Sequence, residues 1–152
     1  MAVQLKPDVQ ELLLEELKAF AASIPDQERP AGFGALQDAV EQGELPDSLL
    51  GPVGNLLEVG LQTGRIRQFH RAPGEQALLR LFAQTPNGQA HARAVAEVNS
   101  ALERLAGQEV ESLRVVMRVP GSYLLQIGTD ACEITLRFTP DGAGVESVAV
   151  GV

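Results

Sequence analysis

The chain has 152 residues, of which 45% are apolar and 21% charged, and carries a net charge of −8. These values suit a globular domain with a substantial core, not a disordered chain. They disfavour a general nucleic-acid binder, because a phosphate backbone would be repelled by most of such a surface. Cys132 is the single cysteine, so an internal disulfide and a multi-cysteine metal cluster are excluded. No apolar run approaches the roughly 20 residues needed to cross a bilayer. Residues 1–7 lack a basic region followed by an apolar run, so no signal peptide and a cytoplasmic location are expected.

The charge is unevenly spread. Residues 1–60 hold three basic and eleven acidic side chains, and residues 97–152 hold four and eight. Between them, Arg65, Arg67, Arg71, Arg80 and Arg93 stand against Glu75 alone. A basic middle inside an acidic chain suggests a strip for an acidic partner or a small anion.

In chain order, the first predicted helix covers 8–23. Val9, Leu12, Leu13, Leu17, Phe20, Ala21 and Ile24 form its apolar stripe, with Pro7 and Asp8 at the start and Pro25 at the end. Residues 25–32 are a loop by composition and a candidate hinge. A short helix over 33–42 follows, carrying Phe33, Leu36, Ala39 and Val40 on one side. Asp47 or Ser48 begins another helical segment to 63, with a break expected near Gly51-Pro52 because both residues weaken a helix. Residues 65–71 alternate charge around Ile66 and suggest an extended link or charged edge strand. Pro73 then opens a helix to 84, and Thr85-Pro86-Asn87-Gly88 turns into a long helix over 89–106. Its stripe is Ala94, Val95, Val98, Ala101, Leu102 and Leu105.

From Gly107 onward the apolar period changes from helical spacing to two. Strands are predicted at 110–119, 123–127, 131–139 and 145–152, with one face packed on helices. Keeping apolar residues on one face favours a three-residue loop, Pro120-Gly121-Ser122, pairing Val119 with Tyr123 and Met117 with Leu125. The fold expected is therefore a single α+β domain, residues 1–152. About five helices, the last long, precede a four-stranded antiparallel β-meander.

Catalytic motifs are absent: there is no phosphate-binding loop, no H-E-x-x-H, no G-x-S-x-G and no C-x-x-C. Cys132 shares the parity of Ile134, Leu136 and Phe138, which points it into the core as an inert hydrophobe. His91 and Arg93 fall in the first turns of the long helix, where a nearby anion would balance their charge. With Arg71 and Tyr123 they form a candidate ligand site between that helix and the sheet. Arg65 and Arg67, together with Val116 and Leu124 on the outer sheet face, are candidate partner contacts. No metal site or cofactor is expected. The reading that follows is a non-catalytic interaction module that self-associates as a homodimer. A small-molecule binder or enzyme for an anionic ligand is the alternative.

Overall fold

In a computed structural model that describes residues 1–151, five helices precede a four-stranded antiparallel sheet. The final residue of the predicted strand 145–152 lies outside the described residues. Among them, no helix is long and apolar enough to cross a membrane.

Helix α1 (Pro7–Ser23) begins with Pro7 in its first turn, where the missing N–H costs nothing, and Ile24 beyond its end is extended. It packs against α2 (Phe33–Gln42). A two-stranded pair, β1 (Ala2–Gln4) and β2 (Glu44–Pro46), sets Val3 opposite the fully buried Leu45. Both strands are three residues long, too short for a period of two to be read in the sequence. Helix α3 (Asp47–Gln62) runs through Pro52 without the expected break. Proline removes one backbone hydrogen bond there, and the buried Leu50, Val53 and Leu57 on the inner side outweigh that loss.

Helix α4 (Arg65–Phe82) corrects the extended link expected at 65–71. Ile66 is completely buried, so the segment coils to place it in the core. The helix is kinked at Arg71, whose φ of 59° is the one positive φ outside glycine among the described residues. Pro73 follows two residues later and disfavours a helical conformation just before it. Helix α5 (Pro86–Glu103) starts earlier than expected. The buried Thr85 accepts from the Gly88 amide at 3.1 Å and donates to the Phe82 carbonyl at 2.6 Å, capping the helix ahead of Pro86.

Strands β3 (Ser112–Val119), β4 (Ser122–Gly128), β5 (Cys132–Thr139) and β6 (Gly142–Val150) are joined in sequence order, with β3 and β6 at the edges. The first hairpin differs from expectation. Its loop has two residues, Val119 pairs with Ser122, and a bulge at Arg118 restores Met117 to a position opposite Tyr123. Gly121 takes a φ of 87°, the left-handed conformation that a Pro-Gly turn requires at its second position. Such a turn does not match the strand twist, and a bulge beside it supplies the missing twist while keeping Leu113, Val115 and Met117 on one face.

Two compact units divide the chain, Met1–Gly88 and Gln89 onward. Each has its own core. Leu13, Leu17, Leu36, Val40, Val53, Leu57, Ile66 and Leu78 fill the first. In the second, Val98 and Ala101 of α5 close over Ile127, Cys132, Ile134 and Leu136.

Candidate functional site

Two places in the fold carry more chemistry than packing demands, one in each unit. The first is built around Glu16, which is 1% exposed on the inner side of α1. Gly60 of α3 lets Ile66 approach closely, since a Cβ there would stand 2.7 Å from Ile66 Cδ1 and 3.7 Å from Glu16 Oε2. The start of α4 thereby lies against α1. Arg65 then bonds Glu16 Oε2 through Nη2, and His70 Nε2 lies 2.7 Å from Glu16 Oε1. Nδ1 of His70 is 3.4 Å from Glu15 Oε2. The His70 side chain is 7% exposed, whereas that of Arg65 is 35% exposed. Glu16 is thus held from two sides, by His70 and by Arg65, and the cluster anchors Arg65.

Arg65, whose side chain is 35% exposed, also lines a half-enclosed groove of about 630 Å³ between α1, α2 and α3. Leu17, Phe20, Phe33, Leu36 and Leu56 supply much of its apolar wall, with Phe20 and Phe33 stacked 5.6 Å apart. Arg65 is the only charged residue on the lining, and there is no carboxylate.

The second place is the sheet. Leu113, Val115 and Met117 of β3 lie opposite Ile127, Leu125 and Tyr123, on the side that α5 covers elsewhere. They are nevertheless 68%, 65% and 58% exposed. A helix about 10–12 Å across spans roughly two strands spaced 4.7–4.9 Å apart, so one helix leaves about half of a four-stranded face open.

No protein-family model, curated protein or solved structure matches this chain. Function rests on the geometry alone.

The residues singled out in the sequence are divided between the two units. Arg65 belongs to the buried cluster. Arg67 lies 3.7 Å from Glu75 across the kink, and Arg71 is the exposed kink residue itself. His91 sits beside the β5–β6 turn, where a Cβ on Gly142 would be 3.0 Å from its Nδ1. Arg93 is exposed, and it lines an open hollow of about 460 Å³ with Glu97 and Ser100 of α5, Arg104 just beyond its end, and Val145 and Val148 of β6. Neither His91 nor Tyr123 lines that hollow. Tyr123 lies between Met117 and Phe138 on the helix-facing side of the sheet. At the start of α5 the Gly88 amide is already taken by Thr85, and Asn87 is bonded to Asn55 and Glu58 at 3.0 and 2.7 Å. An anion at that end would have to displace these bonds.

Val116 and Leu124 pair on the outer face and are half-buried. Arg118 and Arg137 flank them and meet Glu146 at 3.4 and 2.7 Å. The outer face is thus more polar than Val116 and Leu124 alone suggest.

Glu16 and His70 were missed as site residues. Glu16 had a legible signal, because it stands three residues after Leu13 and four before Phe20, inside the apolar stripe. His70 had none, since its partners lie 54 and 55 positions away in α1.

Proposed function

We propose that this protein is a non-catalytic, cytoplasmic self-association module in which two copies join through the edge strand β3. The observation that carries the reading is the exposed row Leu113, Val115 and Met117 on the core-facing side of the sheet. An edge strand eight residues long with an apolar face and unpaired backbone groups is a template for another strand. A second β3 is self-complementary to it. Antiparallel pairing about a two-fold axis would extend each sheet and set the open apolar half of one copy beside that of the other.

Charge selects the register. Centring the two-fold on Val116 would set Arg114 against Arg118 of the second copy, a repulsive pair, and centring on Arg114 would oppose that residue to itself. Centring on Val115 brings Leu113 opposite Met117 and leaves each Arg114 against Val116. Of these three, only the last register is free of like-charge pairs, and it also overlaps the two strands along most of their length.

Light scattering at micromolar concentration should give twice the 16.2 kDa chain mass, and Val115→Asp should return it to that of one chain. Val115→Cys should form an intermolecular disulfide on mild oxidation, because directly opposed strand residues lie about 4.5–5.5 Å apart at Cα, within disulfide reach. Val116→Cys should not. A wild-type mass of one chain rejects the reading, and cross-linking through Val116→Cys in place of Val115→Cys rejects the register.

A further inference from the structure

We infer that the groove of the N-terminal unit binds an aliphatic carboxylate, with the alkyl chain between α1, α2 and α3 and the carboxylate on Arg65. Three observations combine to support this.

The volume, about 630 Å³, falls in the range of roughly 300–1,000 Å³ usual for small-molecule sites. A helix some 10–12 Å across fills roughly 400–600 Å³ per turn, so a helix wholly sunk in the groove would find room for little more than one turn. The space fits a flexible chain better than a folded segment.

The lining is apolar apart from a few groups. Asn55 and Ser23 are neutral, and Arg65 is the one charge. A ligand matched to this wall is apolar along its length and carries one negative group at one end. A guanidinium has five N–H donors in a planar fork, and the bond to Glu16 engages one nitrogen of Arg65. Donors remain for a second carboxylate.

The anchoring of Arg65 is more elaborate than stability requires. A buried ion pair adds little net stability, because desolvating the charges offsets their attraction. Here a carboxylate that is 1% exposed is held by His70 at 2.7 Å and in turn holds Arg65. The kink at Arg71 stands immediately after His70, and a Cβ at Gly74 would collide with His70. What this construction supplies is a guanidinium fixed at the groove in advance of binding, which lowers the ordering cost of recognising an anion.

Sodium dodecanoate, kept below micelle formation, is the probe, with dodecan-1-ol and sodium butyrate as its uncharged and short-chain counterparts. Calorimetry on the full chain should give saturable binding of one dodecanoate per chain. Dodecanol should bind about tenfold or more weakly, as expected for losing a charge-assisted bond, and butyrate should not bind. Arg65→Gln should abolish the preference for dodecanoate over dodecanol. Because that change also strips Glu16 of its partner, Val59→Asp serves as a second variant. Val59 lines the groove, is 62% exposed and lies outside the charged cluster. Its carboxylate should weaken dodecanoate by about tenfold or more while sparing dodecanol. Absence of saturable binding overturns the inference, as does equal affinity for acid and alcohol. Saturable binding of an amphipathic helical peptide that dodecanoate fails to displace assigns the groove to a protein partner instead. Loss of a dimer in Val59→Asp assigns it to a second copy.

Discussion

Removing one member of a buried charged cluster leaves the others desolvated and unpaired. Glu16→Ala should therefore cost about 3–5 kcal/mol in urea melts, whereas Glu11→Ala, on the exposed side of the same helix, should stay within about 0.5 kcal/mol. Equal losses at both positions would mean that Glu16 is solvated. The contrast was partly legible in the sequence. An acidic residue inside an apolar stripe is a buried charge in search of partners, and the stripe gave the location of Glu16. It could not give the partners, because Arg65 and His70 arrive from a helix that the local pattern does not announce. Arg65-Ile66-Arg67 alternates like a strand, and only the burial of Ile66 against α3 resolves the segment as helical.

The hairpins show the same division at the level of elements. Strand period and turn composition gave four strands and their inner faces, because alternation is a direct imprint of one-sided burial. The bulge at Arg118 escaped because a turn of unfavourable twist and an extra residue compensate each other, and either alone would have predicted a different register. A second irregularity lies between Thr135 and Leu136, where β6 contributes Glu146 as an extra residue. Glu146 accepts from Arg137 and lies near Arg118, and together they hold its carboxyl below the ordinary value of 4.5. A carboxylate depressed in the folded state stabilises the fold above its unfolded value. That contribution is lost as pH falls through the folded value. Glu146→Gln should therefore lower stability at neutral pH, and its difference from wild type should shrink once the pH drops below 4.5. A difference that persists unchanged into acid would show that the carboxylate charge is not what Arg118 and Arg137 read.

At the scale of the whole molecule, two separate cores imply two melting events. Tyr123 is the only tyrosine and the chain has no tryptophan, so intrinsic fluorescence reports the C-terminal unit alone. Helical circular dichroism is dominated by α1–α4 of the N-terminal unit. Leu57→Ala deletes part of the first core and should cost about 2–5 kcal/mol by dichroism while leaving the fluorescence midpoint in place. Ile134→Ala should do the reverse. Coincident shifts by both probes would mean that the units unfold as one. Composition and length gave no sign of this division, because 152 residues is also an ordinary size for one domain. The boundary falls inside the continuous helix α5, where no linker marks it.

The boundary at Gly88 also orders events on the ribosome. Every residue of the first core lies before position 88, so the helical unit can close without waiting for the sheet. At about 5–20 residues per second, strands β3 to β6 follow within seconds. The apolar edge at β3 leaves the exit tunnel just ahead of β4, which pairs with it across a two-residue turn and buries one side at once. Among the described residues, its other side pairs with no strand of the same chain. On a polysome, where neighbouring nascent chains are held close together, the proposed β3–β3 pairing would find its nearest partner strand in the next copy. Assembly would then begin during translation.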